Sequence, residues 1–364
     1  MILLYVGITI GIIIGAFAIY LLIVALIPGF SVPEQRLEKA RHPRQEKETQ
    51  RFGPRKDVAF EVRATSLSAW LYLPEAHSTP VPCIVMSHGL GATKNTGLEP
   101  YAIRFQEAGF AVLAFDYRHL GGSGGEPRQL VWIPYQLEDM SAAVEYARGL
   151  KEVDPARIAL WGTSLSSGHV IVTAAKDDRI SCVSAQCPLL DGIETGVAAL
   201  KREGVRTSLA RAFRMVPHGQ RDLVRSWFGL SPHKIPLVGK PDSIAVLADL
   251  DAWDTLEKLA PDDFVNEVCA RILIRMDKYR PVGSVSKVHC PVLLQVSDDE
   301  ISFQMNAIRK VEERLGDLAE VVHYPTGHFG IYLGSNFEKC VSDQLEFFRK
   351  HLLKTGQNGD HRQE

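Results

Sequence analysis

The chain has 364 residues, 46% of them hydrophobic and 23% charged, with 41 basic against 43 acidic side chains and a formal net charge of −2. This composition excludes an intrinsically disordered chain and allows one large α/β domain or two smaller ones. The near-zero charge balance lacks the basic footprint of a nucleic-acid binder, and the six scattered cysteines contain no C-x-x-C pair, which excludes zinc-knuckle and thioredoxin-like spacings.

From Ile2 to Ile27 the chain carries no charged residue. About 20 helical residues cross the hydrocarbon core of a bilayer, so residues 1–28 are predicted to form a transmembrane anchor. A cleaved signal is disfavoured, since no Lys or Arg precedes the run and Ile-Pro-Gly-Phe closes it in place of an A-x-A-like site. Arg36, Lys39, Arg41, Arg44, Lys47 and Arg51 follow. By the positive-inside rule, the expected protein is single-pass with its body in the cytoplasm. Residues 29–56 read as a charged linker.

The body begins near Asp57. The stretches 58–64 and 68–74 are predicted strands at hairpin spacing, the second stopped by Pro74. "CIVMS" (83–87) and "FAVLAF" (110–115) are continuous apolar runs, as in strands buried on both faces of a parallel sheet. A helix is predicted over 98–109 and another over 133–150, with Pro134 near its start. Strand 157–162, helix 165–177 and strand 180–186 continue the βαβ alternation. It lapses over 190–286, which reads as a helical cap insertion. It resumes with strand 291–297, a helix near 303–315, strand 318–324 and a helix near 336–353. The core is therefore expected over 57–189 and 287–354, and residues 355–364 as a disordered tail.

"ALWGTSLSSGHV" (159–170) places Ser164 at a strand-to-helix turn. A serine hydroxyl is a poor nucleophile until a base takes its proton. A tight turn of this kind thrusts the side chain beyond the sheet edge, with small neighbours letting strand and helix close past each other. The G-x-S-x-G spelling is missed at position 166, which is serine. Acids follow a buried strand in "PVLLQVSDDEISF", and His328 follows the next strand in "YPTGHFGIY". Both loops leave the same sheet edge as Ser164. Asp299 is the expected orienting acid for His328, with Asp298 and Asp191 as alternatives, Asp191 also reading as a helix N-cap. His323 lies within a strand and is expected to pack or face solvent. The loop "MSHGLGATKN" (86–95) should supply half of an oxyanion hole, making Leu90 and Leu165 the N–H donors, with His88 structural. "DYRHLGGSGGEP" lacks the ending of a phosphate loop and reads as a structural turn at a pocket rim, with Asp116 and Arg118 pairing locally.

These motifs, in the order "SHGLGATK", "AFDYRHLGGSGGEPRQL", "WGTSLSSGH" and "GHFGIY", resemble the α/β-hydrolase superfamily across Asp57 to Leu353. The combination is similar to the dienelactone hydrolase and Xaa-Pro peptidase-like branch, and to fungal polyketide acyltransferases of this fold. The resemblance implies an eight-stranded, mostly parallel sheet with helices on both faces and a helical cap. It also implies serine hydrolase chemistry with no cofactor or metal. The expectation is a membrane-anchored serine hydrolase that cleaves a small-molecule ester or thioester through an acyl-enzyme. The alternatives are an acyltransferase with the same triad and a catalytically silent, membrane-tethered interaction module.

Overall fold

The computed structural model of the chain describes residues 2–26, 32–35, 37, 55–75, 80–298 and 301–353. Asp299, most of the expected linker and the expected tail lie outside the described residues.

The unbroken apolar runs become interior strands. Strand β1 (Lys56–Val62) pairs antiparallel with β2 (Thr65–Tyr72) as the predicted hairpin, and β2 pairs antiparallel with β4 (Ala111–Phe115). β3 (Val81–Ser87), β5 (Val153–Thr163), β6 (Ile180–Gln186), β11 (Val292–Ser297) and β12 (Ala319–Tyr324) run parallel. The sheet has eight strands in the order β1-β2-β4-β3-β5-β6-β11-β12. All five residues of β4 are buried, as two-sided cover requires.

Helices α2 (Glu99–Glu107), α3 (Ile133–Arg148), α4 (Leu165–Ala174), α8 (Ile301–Leu315) and α9 (Gly334–Phe348) supply that cover. Buried apolar residues form two clusters, one containing Leu113, Leu160 and Val183, the other Ile84, Trp161 and Phe348. Each strand sends alternate side chains to opposite faces, so one sheet builds two cores. All six cysteines are buried.

Between β6 and β11 stand α5 (Gly192–Glu203), α6 (Val205–Trp227) and α7 (Leu250–Leu259). The sequence pattern of this stretch predicts a largely helical cap. It also holds two small sheets, each of two-residue strands: β7 (Lys234–Ile235) with β10 (Val268–Cys269), and β8 (Val238–Gly239) with β9 (Leu247–Ala248). Two residues carry too little pattern for a strand to be read from the sequence.

The apolar N-terminal run forms α1 (Ile2–Leu26). Its stretch Tyr5–Leu26 has a mean hydropathy of 2.7 and is long and apolar enough to cross a membrane. Most of it stands clear of the body, but its last turn is held: Val24 and Ala25 are buried, and the Tyr20 hydroxyl donates to Gln220 Oε1 at 2.8 Å. Arg221 and Arg225 of α6 donate to the carbonyls of Val24 and Ala25 at 2.7 and 3.1 Å, satisfying acceptors that the helix end leaves open.

The expected local pair of Asp116 with Arg118 is corrected. Asp116 accepts from Lys94 Nζ at 2.6 Å and from the backbone N–H groups of Lys94 and Gly122, while Arg118 pairs with Asp139 and Glu138. Beyond β4 the chain is irregular, so nearness in sequence does not set the partners: Asp116 meets Lys94 from the loop after β3, and Arg118 meets Asp139 on α3.

Candidate active site

In the parallel part of the sheet, chain connections leave the carboxyl ends of β3, β5, β6, β11 and β12 at one edge. Ser164 sits there, between β5 and α4, with φ +56° and ψ −120°. A non-glycine residue in that region costs on the order of 1–3 kcal/mol and persists only where its surroundings overdetermine it. The surroundings are specific. The Ser164 N–H donates to the Gln186 carbonyl at 2.9 Å, and the Ser164 carbonyl accepts from Ser167 N–H at 3.1 Å. Gly162 makes room for the turn: a Cβ there would stand 2.3 Å from the Ser166 carbonyl oxygen. Across the cleft, a Cβ on Gly89 would lie 3.2 Å from Ser164 Cβ, so the loop after β3 passes hard against the serine.

His328 lies in the loop after β12, and its Nε2 is 3.1 Å from Ser164 Oγ. The chain separates the two residues by 164 positions. Its loop is tied down from two sides. The Cys187 thiol donates to the His328 carbonyl at 3.5 Å, and the hydroxyls of Thr163 and Tyr332 hydrogen bond. Ser164 and His328 are both partly buried, leaving the hydroxyl reachable from outside.

The two alternative acids are placed differently. Asp298 is exposed and hydrogen bonds to His323 Nδ1 at 3.2 Å; His323 is itself exposed on β12, as expected. Asp191 caps α5, accepting from Ile193 and Glu194 N–H, and pairs with Arg280 Nη2 at 2.9 Å. Burial opposes ionisation of Asp191, but Arg280 and the helix N–H groups outweigh it and hold its carboxyl below the usual range. Both alternatives thus have partners other than His328. Asp299 lies outside the described residues, between the ends of β11 and α8.

Leu165 opens α4, where a first-turn N–H has no acceptor within its helix. Leu90 follows Gly89 in the turn after β3. His88 holds that turn, its Nδ1 lying 3.0 Å from the Gly89 carbonyl oxygen, and burial lowers its pKa so that the ring stays neutral.

Ser166 carries a role that the sequence reading missed. Its hydroxyl donates to the His88 carbonyl, so its remaining lone pairs accept from the Tyr117 hydroxyl at 2.9 Å. Burial pushes the Tyr117 pKa up and keeps that hydroxyl a donor. The departure from G-x-S-x-G therefore cross-links α4 to the loop that carries Leu90. The sequence signal was the polar residue itself at a position where the motif has no side chain.

Among the described residues, no group of three or more His, Cys, Asp or Glu is arranged to hold a metal ion. Chemically, the Ser164–His328 pair is suited to proton transfer from an alcohol to an imidazole.

Comparison with known proteins agrees with this architecture. Residues 64–208 match the family described as X-Pro dipeptidyl-peptidase (S15 family). The chain is 36% identical over 297 residues to the quorum-quenching protein AidA of Acinetobacter baumannii, covering 81% of this chain and 94% of that one. It is 27% identical over 310 residues to the thiohydrolase aneE of Aspergillus aculeatus, covering 81% and 94% respectively. Among solved structures, the α/β hydrolase GrgF from Penicillium superposes with a TM-score of 0.68 at 24% identity, covering 82% of this chain and 99% of that one.

Proposed function

This chain belongs to the α/β-hydrolase superfamily and is a hydrolase of the esterase/thioesterase kind, and from that premise we propose that it is a membrane-anchored enzyme that cleaves carboxylic esters or thioesters through an acyl-enzyme on Ser164. One observation carries the reading: a serine held at φ +56° with an imidazole nitrogen 3.1 Å from its oxygen.

In this reading Ser164 Oγ attacks the substrate carbonyl while His328 Nε2 takes the hydroxyl proton. The N–H groups of Leu90 and Leu165 stabilise the oxyanion of the tetrahedral intermediate. As the carbonyl re-forms, the bond to the alcohol or thiol breaks, and His328 returns the proton to that leaving group. Water repeats the sequence on the acyl-enzyme and releases the acid. Asp299 orients His328 and stabilises the imidazolium. The name of aneE supports a thioester among the substrates, and the α1 span supports the anchor, with the basic residues that follow it placing the body on the cytoplasmic side.

The test is a fluorophosphonate probe on full-length protein, followed by turnover on ester, thioester and X-Pro amide panels. Wild type should label and Ser164→Ala should not. Equal labelling of both rejects the nucleophile. Amide turnover above ester turnover rejects the substrate class. Product found on an added alcohol in preference to water turns the reading toward acyl transfer.

A further inference from the structure

The outer surface of the cap carries a pattern that catalysis does not use. Along α6, Val205, Leu209, Phe213, Val216, Leu223 and Trp227 recur at three-, four- and seven-residue spacings, which places them on one helix face. Much of that face is open: Val205, Leu209, Phe213 and Trp227 are 62%, 53%, 79% and 62% exposed, while Val216 and Leu223 are half-buried. Phe228 follows at 64%. A helix of a water-facing cap does not gain by leaving large apolar side chains in solvent, and an apolar stripe of this extent marks an interaction surface.

Two further observations identify the occupant. The first is charge. The same helix bears five arginines, at 206, 211, 214, 221 and 225, and one acid, Asp222, which is buried against Arg271. Arg206 is exposed at the edge of the stripe, while Arg211 and Arg214 are exposed on the polar face opposite it, Arg211 pairing with Glu203 at 3.2 Å and Arg214 donating to the Asp242 carbonyl at 2.6 Å. The chain as a whole is slightly acidic, so this helix is a local concentration of positive charge. The second is continuity with α1. Gln220 falls on the apolar face of α6, and it is Gln220 that accepts from Tyr20, while Arg221 and Arg225 hold the final carbonyls of α1. The C-terminal half of the stripe thus adjoins the point where the span meets the body. An apolar face backed by an arginine-rich face and adjoining an apolar helix long enough to cross a bilayer has the composition of a helix that lies in the headgroup layer.

We infer that α6 is an interfacial helix, its Val205–Trp227 face seated in the headgroup and upper acyl region of an anionic bilayer, with Arg206 at the edge of that face on lipid phosphates and the arginines of the polar face adding longer-range attraction. The inference rests on the anchor reading above and deepens it. It makes the cap part of the membrane-facing surface. Because α5 starts at Gly192, and Leu189 N–H donates to the Ser164 carbonyl, the cap springs from the rim of the candidate site. Acyl substrates dissolved in the bilayer would then meet the enzyme on the face from which the cap rises.

The test uses the full chain in phosphatidylcholine vesicles with and without phosphatidylserine. The six native cysteines are buried, so a nitroxide can be attached selectively at an added thiol. Three single variants are labelled: F213C on α6, G15C within the span and E107C on α2. Collision with oxygen reports immersion, and collision with a water-soluble nickel chelate reports exposure. The expected result is loss of nickel accessibility at F213C and G15C and its retention at E107C. Triple reversal R206E/R211E/R214E should restore nickel accessibility at F213C in the anionic vesicles.

Nickel accessibility at F213C with G15C immersed overturns the inference and leaves the anchor standing. Immersion at F213C without G15C keeps the interfacial helix and rejects the anchor, and exposure at both rejects both. Spin–spin broadening at F213C that disappears on dilution with unlabelled protein shows a second copy covering the face, and overturns the lipid assignment. Immersion that is unchanged by the triple reversal rejects the anionic headgroups as the ligand.

Discussion

Ser166 donates its hydroxyl proton to the carbonyl oxygen of His88, tying the helix behind the nucleophile to the loop on the opposite side of the cleft. The two residues are 78 positions apart in the chain. Under the proposed mechanism both oxyanion donors, Leu90 and Leu165, are neighbours of this link. Ser166→Gly would restore the familiar G-x-S-x-G spelling, yet it removes the link and leaves a buried carbonyl without that donor. The cost of such an orphaned group is about 1–3 kcal/mol. If about 1.4 kcal/mol of that appears in the transition state, kcat falls roughly tenfold with KM nearly unchanged. Steady-state kinetics of Ser166→Gly and Ser166→Ala check this; wild-type kcat in both shows that the hydroxyl is only tolerated.

The acids separate by mutation. Asp299→Asn should lower kcat by about 10⁴-fold, since an orienting carboxylate holds the imidazole in the correct tautomer. Asp298→Asn, whose partner is the exposed His323, should change kcat little. Asp191→Ala should leave kcat near wild type and instead lower stability, by roughly 0.5–2 kcal/mol for the lost cap of α5. Kinetics and urea melts on the three variants decide the assignment. A collapse of kcat in Asp298→Asn with normal Asp299→Asn transfers the role.

Gly162→Ala should be one of the most damaging single-methyl changes in the protein. The new Cβ would meet the Ser166 carbonyl oxygen at 2.3 Å and its carbon at 2.7 Å, both of them backbone atoms that cannot rotate away. Overpacking of this kind costs about 1–3 kcal/mol. Because the displaced atoms belong to the turn that presents Ser164, activity should fall further than the stability loss explains. Calorimetry beside probe-labelling rate tests it, and unchanged labelling would show the turn to be more compliant than its contacts indicate.

His169 offers a pH prediction. It is buried behind Ser164 on α4, between the Tyr279 hydroxyl at 2.5 Å and Gln136 Oε1 at 3.0 Å. Burial, with a smaller contribution from His88, lowers its pKa from 6.5 to about 3. An unfolded His169 takes up a proton below its ordinary pKa while the folded one does not. Stability is therefore full above pH 6.5 and is lost progressively as pH falls toward 3. The slope from this residue alone is about 1.4 kcal/mol per pH unit inside that window. Urea melts between pH 7 and pH 5 should show it, and His169→Gln should have a shallower profile by one proton. Parallel profiles would mean that another group carries the dependence.

Much of the core was legible in the chain because its signals are local. Unbroken apolar runs mark two-sided strands whatever surrounds them, and β6 was read to the residue at 180–186. Ser164 and His328 were legible because each follows such a strand, and parallel strands deliver their following loops to one edge. The hairpin of β1 and β2 needed only two short patterns and a turn between them.

What the chain could not state by itself is which side chain reaches which partner across the fold. Local reading paired Asp116 with Arg118, two residues away, whereas the structure gives Asp116 to Lys94 from the loop after β3 and Arg118 to Asp139 on α3. Ser166 read as a flaw in a motif until His88 and Tyr117 were brought to its hydroxyl. The apolar stripe of α6 was already present in the spacing, but only packing shows that most of its large side chains stay exposed and that it meets α1 at Gln220. Secondary structure and loop order follow from periodicity and steric preference, which act over a few residues and are therefore set by the sequence alone. Hydrogen-bond partners, exposure and the contacts of a strained turn depend on sheet register and helix docking, where groups 21 to 164 residues apart come within 3.1 Å, and only the tertiary structure decides them.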